Sequence, residues 1–196
     1  MNESLPLATI QEAVLEFLRG RKDAVVFGAQ AVNAYVPESR MSQDIDLLST
    51  RAGELAEELR VHLGDKFHVA IRVREVADGR GFRLYQIQKA GNRHLVHIRL
   101  VEQLPPARLF SQVLVAAPEE LIALKVIAYY QRRGQPKSGT DWRDLAMLLL
   151  AFPEMKREDG VVAERLKAGN VGEDVMNLWR DVVKQEIQSV DDDGEF

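Results

Sequence analysis

The hydrophobic period of this chain changes once, and that change limits the folds open to it. Between residues 67 and 101 apolar and polar residues alternate. Phe67, Val69, Ile71 and Val73 stand against His68, Arg72 and Arg74. Two more strand-like runs, 82–88 and 95–101, follow the turn sequences Ala-Asp-Gly-Arg-Gly and Ala-Gly-Asn. A period of two broken by such turns predicts an antiparallel meander. Pro105 and Pro106 are expected to close it. From Pro118 onward the period lengthens to that of a helix. Proline suits the first helical position, and it opens PEELIALKVIAYYQRR, which Gly134 should end. A loop over 135–140 and helices over 141–152, 160–167 and 173–188 are expected next.

Upstream of the meander the elements alternate. Thr9 and Glu12 have capping-box spacing before an apolar stripe of Ile10, Val14, Phe17 and Leu18. A short strand, 24–27, ends at Gly28, and a helix over 29–35 is broken by Pro37. A second strand, 44–48, precedes a helix over 52–63. The expected fold is therefore α/β in the α+β sense. A mixed sheet flanked by helices fills residues 1–115, and a helical bundle fills 116–196, with a frayed acidic end at DDDGEF.

Composition narrows the function classes. Apolar residues make up 46% and charged residues 29% of the 196 positions, as in ordinary globular proteins. No apolar run reaches membrane-span length. The first residues, MNESLPLATIQEAV, lack the basic start and apolar stretch of a signal peptide, so a cytoplasmic chain is expected. Without cysteine there is no disulfide, thiolate zinc site or thiol nucleophile. A net charge of −4, with no recognition helix bearing a basic face, argues against sequence-specific DNA binding. His62, His68, His94 and His97 show no paired helical spacing, and His94 and His97 are expected on opposite faces of a strand, which argues against a zinc hydrolase.

The segment SRMSQDIDLLST carries the chemistry. Asp44 and Asp46 are two residues apart, so in a strand they share a face while Ile45 and Leu47 point to the core. Two such carboxylates suit a hard divalent ion such as Mg²⁺; the alternative is a pair of solvated acids at a loop edge. Upstream, the glycine turn at Gly28 leads into a helix start that can offer backbone N–H groups to phosphate. Downstream, Leu121, Lys125, Ala128 and Arg132 fall on one side of a helix, so Lys125 and Arg132 can face one cleft. Asp141 and Asp144 share a face of the next helix; the alternatives there are an N-terminal cap for Asp141 and a buried ion pair for Asp144.

FGAQAVNAYVPESRMSQDIDLLS resembles the signature of the polymerase-beta-like nucleotidyltransferases, and Arg40-Met-Ser42-Gln-Asp44-Ile-Asp46 is similar to the AbiEii-type toxin branch. APEELIALKVIAYYQRR and TDWRDLAMLLL, with Asp141, Asp144 and Leu145, resemble that branch's later helices. The resemblance implies a metal-dependent transfer of NMP from an NTP to a hydroxyl of RNA, such as a tRNA end, or of a protein. It implies Mg²⁺, or Mn²⁺, on Asp44 and Asp46. Gly28, Ala29, Arg40, Ser42, Lys125 and Arg132 would hold phosphates, and Asp141 would act as base or support. It also implies a cognate antitoxin.

Two departures accompany the match. Ala29 replaces the second glycine or serine of the motif, removing a hydroxyl. The strand that should supply a third carboxylate reads Arg93 to Val101, with Val96, Ile98 and Leu100 expected on its core face and Leu95, His97 and Arg99 on the other. His97 takes the carboxylate position, and Glu102 has the wrong parity unless a bulge intervenes. Three readings are open for His97: a substitute base, a Mn²⁺ ligand, or the mark of a weakened enzyme. The alternative function is a catalytically impaired nucleotide-binding or protein-interaction module on the same fold. Arg72, Arg74, Arg80, Arg83 and Arg93 either line a path for an acidic acceptor or form the meander's solvated face.

Overall fold

The computed structural model describes residues 5–188, in two compact units. One comprises residues up to 34 and 38–117; the other comprises 35–37 and the chain from 118 onward. The acidic end expected to fray lies outside the described residues.

The first unit is a seven-stranded mixed sheet. Its strands are β1 (Ala24–Phe27), β2 (Ile45–Ser49), β3 (Ile71–Val76), β4 (Gly81–Gln86), β5 (Arg93–Leu100), β6 (Ala107–Phe110) and β7 (Val113–Ala116), in the order β3-β4-β5-β2-β1-β7-β6. Its helices are α1 (Leu7–Leu18), α2 (Gly28–Asn33) and α3 (Ala52–Phe67). The expected meander is β3-β4-β5, antiparallel throughout. β2 lies parallel to β5 and antiparallel to β1, and β1 lies parallel to β7. Ile45, Leu47, Leu84, Val96 and Ile98 share one face and are fully buried. Helix α3 packs on this face, where Gly53 makes room for the Phe82 ring.

Several local expectations are corrected. No capping box forms: α1 begins at Leu7 behind Pro6, two residues before Thr9, and no side chain caps it. Gly64 does not end α3, which runs on to Phe67 and stops at His68 in the left-handed region (φ 52°). The first meander strand therefore starts at Ile71 rather than at residue 67. The prolines do not close the sheet, because the β6–β7 hairpin follows them. Its two-residue turn, Ser111-Gln112, has positive φ at both positions (46° and 67°). Such turns are usually written Asn-Gly, so Ser-Gln gave no signal. Leu100 is exposed rather than core.

The entry to β1 is fixed by charge. The Arg21 guanidinium reaches Asp23 at 2.8 Å and Glu58 at 2.7 Å, and Arg51 reaches Asp23 at 3.4 Å. Buried Ser49 donates its hydroxyl to the Asp23 carbonyl at 2.7 Å. The hydrogen bond from Arg21 holds the Asp23 carboxyl below its ordinary 3.8. A depressed folded value means that the stabilisation is complete above the unfolded value and is lost as pH falls through the folded one. Asp23→Asn is expected to cost about 1 kcal/mol at pH 7. In urea titrations at stepped pH, the gap to wild type should close below the carboxylate range.

The second unit is the expected helical bundle: α4 (Pro118–Gln131), α5 (Lys137–Ala151), a 3-10 turn (Pro153–Met155), α6 (Val161–Ala168) and α7 (Glu173–Lys184). Trp179 is its largest fully buried side chain, and its indole N–H donates to the Arg157 carbonyl at 3.1 Å. Helix α5 begins at Lys137, inside the segment expected as a loop. Asp141 is therefore an interior helical residue and not a cap.

Candidate active site

Asp46 lies on β2, on the face away from α3. Its register neighbours are Phe27 on β1 and His97 on β5. The His97 Nδ1 stands 3.4 Å from Asp46 Oδ1. Asp44 immediately precedes β2, and its Oδ2 stands 3.0 Å from the Nδ1 of His94. Two Asp–His pairs thus sit side by side, with the imidazole centroids 6.4 Å apart.

His94 was not expected here. Simple alternation puts it on the opposite face from His97. Opposite β4, Leu84 pairs with Val96 but Tyr85 pairs with His94, so Leu95 is an extra residue in β5. That bulge reverses the parity and returns His94 to the face of His97. Leu95 and Val96 are both buried. Their doubled apolar step between the histidines is the trace that the bulge leaves in the sequence.

Gly28 closes the site from the side of β1. It has φ +69°, and a Cβ built on it would lie 2.3 Å from Asp46 Oδ2 and 3.0 Å from Asp46 Cβ. Only glycine fits the space in front of this carboxylate. Ala29 follows, buried, at the start of α2. With six residues α2 is short, so its main offer to an anion is local N–H groups rather than a developed dipole.

The loop into β2 is held by polar contacts. Asn33, the last residue of α2, accepts from the Arg40 N–H at 3.0 Å and donates to the Arg40 carbonyl at 2.8 Å. Ser42 donates its hydroxyl to the Asp44 carbonyl at 2.8 Å, and Gln11 of α1 donates to the Ser42 carbonyl at the same distance. The backbone of Arg40 is thus tied to α2, and Ser42 to α1 and to Asp44.

These features coincide with a family match. The model of the AbiEii family, described as nucleotidyl transferase AbiEii toxin, type IV toxin–antitoxin system, matches residues 13–191. The chain belongs to the AbiEii family. No curated protein matches it by sequence. Among solved structures, this AbiEii-family chain is similar to the Megavirus polyadenylate synthase (15% identity, TM-score 0.63, 79% of this chain and 33% of that one). It is also similar to JHP933 from Helicobacter pylori (15% identity, TM-score 0.59, 90% and 88%). A third similar structure is an antigenic nucleotidyltransferase-like protein from Paracoccidioides brasiliensis (18% identity, TM-score 0.50, 89% and 92%). The chain spans a third of the polyadenylate synthase. At these identities the likeness establishes the nucleotidyltransferase fold.

Within the helical unit of this AbiEii-family chain, the other expected site residues form one cluster. Lys125 Nζ lies 2.7 Å from Asp144 and 3.3 Å from Asp141. Arg132 reaches the second oxygen of Asp141 at 2.6 Å. Asp144 is 0% and Asp141 2% exposed, so both carboxylates require these cations. Asp144 takes the buried ion-pair role.

The family implies a divalent ion. Among the described residues no three His, Cys, Asp or Glu side chains form a ready metal cluster. Asp46, which faces Gly28, and Asp44, which immediately precedes β2, are the carboxylates that could hold such an ion. Opposite Asp46 on β5 stands His97 and not a carboxylate. Among the described residues no helix is long and apolar enough to cross a membrane.

Proposed function

We propose that this chain is a nucleotide-binding module on a nucleotidyltransferase fold, with transfer impaired in Mg²⁺. The observation that carries this is His97, directly opposite Asp46 and paired with it. A neutral imidazole brings no negative charge to a second metal and prefers softer ions. Asp44 and Asp46 would hold one Mg²⁺ on the triphosphate, and that ion would neutralise part of the phosphate charge. Backbone groups at Gly28 and Ala29, with Arg40 and Ser42, would contact the phosphates. The resemblance gives Lys125 and Arg132 to the phosphates as well. Their pairing with Asp141 and Asp144 supports a structural share in their role.

The retained Asp44, Asp46 and Gly28 favour a second reading, an active transferase. In it a hydroxyl of RNA or of a protein attacks the α-phosphorus, the bond to the β-phosphate breaks, and pyrophosphate leaves. His97 takes the hydroxyl proton, since Asp141 is buried with both oxygens paired to Lys125 and Arg132, and positioning supplies most of the catalysis. Such a chain would serve as a toxin with a cognate antitoxin, in the cytoplasm.

Calorimetric titration of each NTP, with Mg²⁺, with Mn²⁺ and without metal, tests the first reading. Metal-dependent binding lost in Asp44→Ala is expected. His97→Asp is expected to raise pyrophosphate release in Mg²⁺ by about a hundredfold, within the usual range for a positioned acid or base. No binding to any nucleotide would overturn both readings. Wild-type release in Mg²⁺ that His97→Asp does not increase would favour the second.

A further inference from the structure

The two Asp–His pairs do not end at the histidines. The register continues each of them outward as a row across the sheet. One row runs Asp46, His97, Arg83, Arg74 through directly opposed residues of β2, β5, β4 and β3. Beside it, His94 is opposed by Tyr85 and Tyr85 by Arg72, with Asp44 paired to His94 at the inner end. Opposed residues share a face, so Arg72, Arg74, Arg83 and Tyr85 lie on the carboxylate face, away from α3. The Tyr85 ring centroid is 5.0 Å from that of His94.

The outer half of these rows works against the fold. Arg74 sits directly opposite Arg83, and like charges so placed destabilise a sheet. Among the described residues neither they nor Arg72 has an acidic partner. All three are exposed, in a chain whose net charge is −4. Three arginines around an aromatic ring, on one strip about 14 Å long from Asp46 to Arg74, are a local concentration of positive charge that folding does not need.

We propose that this strip is a track for single-stranded RNA, running from the β3 edge to the carboxylates. Guanidinium forks match phosphate oxygens. An aromatic among cations offers a base a stacking surface, the combination that single-strand binders use. An acidic peptide would occupy the arginines but make no use of the Tyr85 ring. Placing the strand's terminal hydroxyl at Asp44 and Asp46 rests on the nucleotide reading above; the track does not.

The test is fluorescence anisotropy of a fluorescein-labelled, mixed-sequence single-stranded RNA, without nucleotide or divalent metal, across about 50–200 mM salt. Wild type should bind with a salt-dependent affinity. The Arg74→Ala/Arg83→Ala double variant should bind at least about tenfold more weakly, with the log–log salt slope shallower by about 1.4, near 0.7 for each lost phosphate contact. Arg74→Lys/Arg83→Lys should recover most of the affinity. Thermal melting of the variants no lower than that of wild type separates this loss from misfolding. The proposal is overturned if wild type does not bind, if the alanine variant binds as wild type does, or if labelled polyglutamate binds more tightly than RNA. NTP binding with no RNA binding would sink the track and leave the nucleotide reading standing.

Discussion

Lys125→Met is expected to lower the unfolding free energy by about 3–5 kcal/mol. Lys125 is 8% exposed, and its ammonium lies 2.7 Å from a carboxylate oxygen of Asp144, which is fully buried. Methionine keeps the length of the side chain and removes the charge. Asp141 retains Arg132 at 2.6 Å, and the Arg143 guanidinium stands 3.9 Å from Asp144. A buried carboxylate deprived of its close partner is costly, whereas replacing both partners by apolar groups is often close to neutral. The double variant Lys125→Met/Asp144→Leu should therefore be more stable than Lys125→Met alone. Urea unfolding of the three proteins measures both statements. A loss under about 1 kcal/mol for Lys125→Met would mean that water reaches the pair and that the lysine charge is free for other work.

The second large effect is expected at Gly28. Gly28→Ala places a methyl group where Asp46 Oδ2 and Asp46 Cβ already stand, at a φ of +69°. The left-handed conformation alone costs a side chain about 1–2 kcal/mol. The carboxylate must also swing aside, and it is half of the pair expected to hold the metal. Metal-dependent nucleotide affinity should fall by at least about tenfold, with a smaller fall in melting temperature. Titration calorimetry and thermal melting separate the two effects. Undiminished affinity in a folded Gly28→Ala protein would remove Asp46 from the binding site.

The sequence carried the site's carboxylates more clearly than its imidazoles. Asp44 and Asp46 depend only on strand parity over three residues, and parity holds there because Ile45 and Leu47 are both drawn into the core. His94 depends on a single inserted residue, and strict alternation cannot represent an insertion. The meander was legible from its period, but its first boundary was not. Gly64 looks like a helix stop, yet packing of Leu55, Leu59 and Leu63 carries α3 past it. The β6–β7 hairpin was missed because four-residue strands joined by Ser-Gln lack both length and turn residues. Lys125 stood out as the one charge in an apolar helical stretch. That pattern says that a cation is buried, and only the geometry says that Asp141 and Asp144 are its partners.

The order of the strands has a consequence for how the protein is made. Val26 of β1 pairs with Val115 of β7, near the far end of the first unit, and β2 pairs with β5 across α3 and the start of the meander. During synthesis β1 and β2 can form a hairpin early, but both of its edges stay unpaired until β5 and β7 emerge. Closing such distant parallel pairs is slow. The nascent chain therefore carries Asp44 and Asp46 through about fifty further residues of synthesis before His94 and His97 can reach them, and a chain cut short before β7 would expose adhesive strand edges rather than a working site.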